Sequence, residues 1–373
     1  MRIKDFKLER FFAKYEFSAP YLLSSSDCES FTVAELLALE ENAEEQFKNL
    51  RLGYTEAQGN PELRDEISKL YDNVKPEEVL VFSGAEEGIF IFMNVLLEPG
   101  DHIIVQCPAY QSLYAVAEAI GCRVTTWEMK PENWWRPDLG LLKKSICENK
   151  NTKAIILNSP HNPTGFQFSG EEFDAIVEIA KANGLYVFSD EVYRFLEYDP
   201  RDRLPAAADL YEKGLSLGVM SKTFGLPGLR IGWIAAKDRK LLRRLAAFKD
   251  FTTICNSAPS EFLAALALRH REILIERNLE IVRKNLELLD AFFEKHTGLF
   301  EWIRPGAGPI AFPELRPDID VEEFCVDLAE KNGVLLLPGT MYDIGGRQFR
   351  IGFGRKNMPE ALKEFEKYIE KNL

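Results

Sequence analysis

From Val79 onward, short apolar runs alternate with stretches whose apolar residues recur at helical spacing. The runs Val79–Phe82, His102–Gln106, Arg123–Trp127, Ala154–Leu157, Tyr186–Phe188, Leu215–Val219 and Ile231–Ala235 predict strands. Between them, Glu86–Leu97 and Gly170–Asn183 carry helical patterns. Strands alternating with helices predict an α/β chain: a mostly parallel sheet of seven strands, covered on both faces as a three-layer sandwich. The pattern changes after Ala235. Ser260 to about Lys295 reads as one or two long helices. Short strands follow around Gly308–Phe312 and Gln348–Gly352, with helices near Val321–Lys331 and Pro359–Asn372. This predicts a smaller α+β domain. The expected division is a large domain over 46–275, a small one over 276–373, and an N-terminal segment, 1–45, contributing to the small domain and to the pocket.

In open parallel sheets, ligands gather outside the carboxyl ends of the strands. The segments just after the strands are Ser83-Gly84-Ala85, Pro108-Ala109-Tyr110, Asn158-Ser159-Pro160, Ser189-Asp190-Glu191 and Ser221-Lys222-Thr223. All are polar or special in backbone, although they lie far apart in sequence. Asn158-Ser-Pro-His-Asn-Pro-Thr-Gly165 reads as a strand-to-helix turn, and such a turn can project the Asn162 amide into a cleft. An acidic pair after an apolar strand, as at Asp190-Glu191, suits a helix cap. A buried Asp190 would instead need a cationic partner. Lys222 directly follows a strand, and Gly225, Pro227 and Gly228 shape the chain leading to Arg230. That arrangement suits a part-buried amine able to form an imine beside a guanidinium able to clamp phosphate.

Composition narrows the partners. The 373 residues are 46% hydrophobic and 28% charged, with a net charge of −13. No basic excess meets nucleic acid or an anionic membrane, so neither is an expected partner. The charged N-terminus has no apolar leader core, and no window reaches the roughly 20 apolar residues of a membrane span, so a cytoplasmic location is expected. Six scattered cysteines without metal spacing read as buried small hydrophobes in a reducing compartment, with room for a local role at Cys255.

Ser221-Lys-Thr-Phe-Gly-Leu-Pro-Gly-Leu-Arg-Ile-Gly-Trp233, Asn162-Pro-Thr-Gly165 and Ser189-Asp-Glu-Val-Tyr193 together resemble the fold-type I pyridoxal-phosphate enzymes, specifically the class I/II aminotransferase family. The resemblance runs from about Tyr54 to Arg350 and implies the type I aminotransferase fold with pyridoxal 5′-phosphate as cofactor. It implies that Lys222 is the Schiff-base lysine and the base at the substrate Cα. Asp190 would partner the pyridinium nitrogen, and Tyr193 and Asn162 the ring oxygen, with Asn162 also reaching substrate. Tyr110 would stack on the ring. Gly84, Ala85 and Glu86 at a helix start, with Ser221 and Arg230, would hold the phosphate, the Glu86 side chain turned away from it. Arg350 would grip the substrate α-carboxylate. Tyr54 would reach the phosphate of a neighbouring subunit, implying a homodimer with shared active sites.

The chain departs from the family at two places. Val219 stands where many relatives carry Ser or Thr, so one phosphate hydrogen bond is missing or replaced. Leu23-Ser-Ser-Ser-Asp-Cys-Glu-Ser-Phe31 replaces the usual pocket loop, so the sequence resembles an outlying branch that includes capreomycidine-synthase-like enzymes. No second arginine for a distal carboxylate is identifiable, and Asp27 or Glu16 could meet a cationic side chain. The expected activity is amino transfer between an amino acid and a 2-oxo acid. Elimination, cyclisation or oxidative deamination on the same cofactor stays open, as does, last, a non-catalytic binding module.

Overall fold

The computed structural model describes residues 2–373. Its central sheet has seven strands: β1 (Val79–Phe82), β2 (His102–Cys107), β3 (Arg123–Glu128), β4 (Thr152–Asn158), β5 (Tyr186–Asp190), β6 (Gly214–Val219) and β7 (Gly232–Ala236), in the order β1-β7-β6-β5-β4-β2-β3. Only β7 runs against its neighbours. Inner strands such as β6 and β7 are buried on both faces, which is why they read as unbroken apolar runs. β3 lies at the edge and alternates exposed Arg123, Thr126 and Glu128 with buried Trp127; such polar edges discourage pairing with another chain. Each strand expected from the sequence forms, within two residues at either end.

Local signals explain the clearest helix. Ser169 and Glu172 close a capping box, and Gly184 ends the helix Gly170–Asn183 in the left-handed region at φ +66. The stretch after Ser260 forms two helices, Ala258–Arg269 and Arg271–Lys295, broken at His270. Helices Val321–Asn332 and Met358–Asn372 pack with a three-stranded sheet, Leu337–Pro338, Phe349–Gly352 and Ile310–Ala311.

The N-terminal segment lies against this C-terminal part. Tyr21 bridges Val334, Leu23 O accepts Gly352 N–H at 2.8 Å, and Gly354 O accepts Glu29 N–H at 2.8 Å. Gly352 has no room for a Cβ because the Ser25 carbonyl occupies that space. The loop at Ser24–Ser30 is thus pressed onto the strand that carries Arg350.

The cysteines need a correction. Cys28 and Cys325 are buried, but Cys107, Cys122 and Cys255 are half-buried and Cys147 is exposed. Helix Leu139–Glu148 buries Leu142 and Ile146, and Cys147 falls one residue round from that stripe. All six are unpaired. Among the described residues, no helix is long and apolar enough to cross a membrane and no cluster of ligating residues could hold a metal ion.

Candidate active site

The strand ends converge on a cavity of about 350 Å³. β4 brings Asn158 and Asn162, β5 brings Asp190 and Tyr193, and β6 brings Val219, Ser221 and Lys222. The helix Ala85–Leu96 brings Ala85 and Glu86, the strand Phe349–Gly352 brings Arg350, and Tyr110, Arg230 and residues of the N-terminal segment also line it. A larger cleft, about 1000 Å³, runs between Lys4, Lys7, Tyr114, Glu128 and Asp343; it holds none of the sequence-identified site residues.

Lys222 Nζ donates to Ser26 Oγ at 2.8 Å. Burial lowers its pKa, opposed by Asp27 and Asp190 and reinforced by Arg350. Asp190 is buried, accepts the Val192 N–H at 3.2 Å, and is joined to no cation among the described residues. Burial pushes its carboxyl up to about 7, against the pull of the Val192 N–H and the distant Lys222. The Tyr193 side chain is 1% exposed, and among the described residues its hydroxyl makes no hydrogen bond of ordinary geometry, with Ser26 a polar neighbour. A buried phenol without a well-formed hydrogen bond and an uncompensated carboxylate in one cavity call for an occupant carrying an acceptor and a positive charge.

Arg350 is also 1% exposed. Its Nε and Nη2 donate to Ser24 O at 3.2 and 2.8 Å, and its Nη1 to Asn162 Oδ1 at 3.2 Å and Tyr342 OH at 2.6 Å. Every partner is a neutral oxygen, so the buried cation keeps its charge for an anion from outside. With Oδ1 taken by Arg350 and Tyr342, Asn162 is left to donate through Nδ2.

A second anion site opens at the helix start. Gly84 caps Ala85–Leu96 without a side-chain bond, leaving the first N–H groups of a twelve-residue helix free. A Cβ on Gly84, at φ +86, would meet Arg230 Nη2 at 2.6 Å. Arg230 takes the left-handed conformation, φ +52, and donates to Ser221 Oγ at 3.4 Å and Pro227 O at 3.1 Å. The cradle is therefore shaped by a missing side chain and faced by a guanidinium. Glu86 turns its carboxylate to Ser112 Oγ, 3.0 Å, and burial raises it to about 7. Val219 offers this site no donor.

Tyr110 lines the cavity, packs on Phe6 with ring centroids 4.9 Å apart, and donates to Glu9 Oε1 at 3.1 Å. Tyr54 lies outside the cavity and is 93% exposed. Asp27 is already engaged: Arg355 Nη2 donates to both of its oxygens, at 3.0 and 2.9 Å. Burial raises Glu16, with Glu9 and Asp27 adding to the effect.

Ser26 belongs to the loop Leu23–Phe31 marked in the sequence, though without a role of its own, whereas Glu9, Phe12 and Tyr342 were not singled out. Glu9 and Phe12 sit on the cavity face of the helix Lys7–Tyr15, and their i, i+3 spacing was the one available signal. Tyr342 follows an apolar strand and a Pro-Gly turn, a position like those after the large-sheet strands.

A half-buried amine of lowered pKa, a buried phenol, a lone buried carboxylate and two anion cradles define a pyridoxal-phosphate-dependent enzyme. The profile of the family described as "Aminotransferase class I and II" matches residues 21–365, and the chain belongs to that family. It is 29% identical over 353 residues to capreomycidine synthase of Streptomyces vinaceus, covering 94% of this chain and 88% of that protein. It is 30% identical over 338 residues to an aspartate aminotransferase of Sulfolobus acidocaldarius, covering 85% and 82%. Among solved structures, a PLP-dependent aminotransferase from Streptococcus suis superposes with a TM-score of 0.93 at 34% identity, covering 100% and 99%. The PLP-dependent cyclase OrfR superposes with a TM-score of 0.89 at 29% identity, also covering 100% and 99%. The fold is that of the aminotransferases, and the cofactor is pyridoxal phosphate.

Proposed function

We propose that this chain is an aminotransferase moving an amino group between an L-amino acid and a 2-oxo acid, with Lys222 as its central residue. The observation that carries the reading is Arg350, a buried guanidinium with only neutral partners in the cavity that holds the Lys222 amine. A planar fork suits an α-carboxylate and fixes which Cα–H faces the cofactor.

Bound pyridoxal phosphate supplies an electron-accepting ring that makes the Cα–H bond of an amino acid acidic. Lys222 would hold it, and its lowered pKa suits Nζ to taking and returning the Cα proton. Asp190 would meet the charge of the ring nitrogen, Tyr193 OH and Asn162 Nδ2 would donate to the ring oxygen, and Tyr110 would face the ring. The N–H groups of Ala85 and Glu86, with Ser221 and Arg230, would hold the phosphate, and Gly84 keeps that cradle open. The exposure of Tyr54 fits a residue that serves a second copy's site in a homodimer.

The remaining wall favours a cationic side chain. Glu9, Glu16 and Asp27 line it with Leu8 and Phe12, and no arginine besides Arg230 and Arg350 does. Asp27 contributes least because Arg355 already neutralises it.

A second reading, cyclisation or another non-transaminating reaction, is favoured by Ser26. Its hydroxyl sits 2.8 Å from Lys222 Nζ and supplies a second proton-carrying group at the reacting amine. The likeness to capreomycidine synthase and to the cyclase OrfR points the same way. One experiment separates the readings. Holoenzyme is mixed with lysine, arginine, aspartate, phenylalanine or alanine without a 2-oxo acid, and the cofactor released by acid is quantified. Stoichiometric pyridoxamine phosphate, greatest with lysine or arginine, is expected. Unchanged pyridoxal phosphate with a cyclised or deaminated product would replace the first reading by the second. A preference for aspartate or phenylalanine would remove the cationic side chain.

A further inference from the structure

Tyr342 closes the 3₁₀ turn Gly339–Tyr342, and Asp343 after it takes the left-handed conformation at φ +58. That reversal sends the two side chains apart. Tyr342 is buried, with its ring edge-on to Phe312 at 5.8 Å. Asp343 points outward, where it accepts Tyr114 OH at 2.5 Å and is paired with Lys7 Nζ. The turn is thereby anchored from outside while its phenol enters the site. There the hydroxyl donates to Asn162 Oδ1 at 2.8 Å and accepts from Arg350 Nη1 at 2.6 Å, and Nη1 also reaches Oδ1 at 3.2 Å. Two side chains eight positions apart, Tyr342 and Arg350, and the distant Asn162 form a closed triangle.

The triangle sets two orientations at once. An Asn162 amide turned over would present its NH₂ to a phenol proton and a guanidinium, so the bonds to Oδ1 fix which end faces the cavity. Nη1 in turn is held on the side opposite the Ser24 carbonyl that grips Nε and Nη2. Without the phenol, Nη1 keeps only the longer bond to Asn162, and the guanidinium is held chiefly from its other edge, by the Ser24 carbonyl.

We infer that Tyr342 is a positioning residue for carboxylate recognition, its hydroxyl holding the Arg350 guanidinium and the Asn162 amide in the orientation an α-carboxylate needs. The inference rests on the reading of Arg350 given above. A hydrogen bond to a charged group accounts for roughly a tenfold change in affinity or more.

The test is equilibrium binding to holoenzyme, followed by the absorbance of the bound cofactor. One probe is 2-methylalanine, which has no Cα hydrogen to lose, and the other is isopropylamine, the same amine without the carboxylate. The wild type should prefer 2-methylalanine, and Tyr342→Phe should reduce that preference about tenfold, chiefly by weakening 2-methylalanine. Phe312→Leu loosens the ring packing but keeps the hydroxyl, and should leave the preference unchanged. An unaltered preference in Tyr342→Phe, or an equal fall in Phe312→Leu, would overturn the inference. So would a Tyr342→Phe protein that no longer retains cofactor, since Asn162 is one of several groups that would hold the cofactor and its misorientation alone should not release it. A wild type without any preference would overturn the Arg350 reading and this inference with it.

Discussion

Asp190→Asn tests whether the site holds a buried carboxylate awaiting a cation. In the unfolded chain this group ionises near 3.8, whereas burial pushes it up to about 7 in the fold. The folded state therefore binds more protons between those values, and stability falls as pH rises through that window. The cost is absent below about pH 4 and complete above about pH 7. Its full size is about 4 kcal/mol, of which about 3 kcal/mol lies above pH 5. Relaxation and water entry make these figures upper bounds. Glu86, raised to about 7 chiefly by burial, adds a fall of the same sign. Urea unfolding of the cofactor-free protein, at about pH 5 and about pH 8, reads the effect. Wild type should lose stability across that range, and Asp190→Asn should lose less by about 3 kcal/mol at most. Saturating pyridoxal phosphate should also shrink the wild-type fall, because the ring nitrogen brings the missing charge. Identical pH dependence in wild type and variant would refute the reasoning.

Two further substitutions probe the anion sites. Gly84→Ala places a methyl group 2.6 Å from Arg230 Nη2 in a left-handed backbone, and should weaken cofactor binding at least tenfold in equilibrium dialysis, roughly the loss of one charged hydrogen bond. Arg350→Lys exchanges a fork for a point charge and gives up most of four hydrogen bonds, and kcat/KM for the amino acid should fall about 100-fold, or about 3 kcal/mol, in steady-state assays.

Much of this architecture was legible because its signals are local. Ser169, Glu172 and Gly184 bound one helix within a few residues of themselves, and the polar ends of β4, β5 and β6 with the turns after them carry Asn162, Asp190 and Lys222. What could not be read depends on contacts between distant segments. Tyr342 meets Asn162 across 180 positions, and Arg355 neutralises Asp27 across 328, and no periodicity encodes either meeting. The helix Lys7–Tyr15 buries only Leu8 and Tyr15, so beyond the i, i+3 spacing of Glu9 and Phe12 nothing local marks the face they turn to the cavity. Glycines show the same division. Gly184 is marked by the helix it ends, whereas Gly352 is required by the Ser25 carbonyl of a segment far away in sequence.

The central claim is that Lys222 carries the cofactor. Reducing the holoenzyme with borohydride makes such a linkage permanent, and mass spectrometry of a digest then locates the phosphopyridoxyl group. The account predicts a single modified peptide, the one containing Ser221-Lys222-Thr223, and no such peptide from Lys222→Ala. Label on another lysine, or undiminished label in the variant, would contradict it.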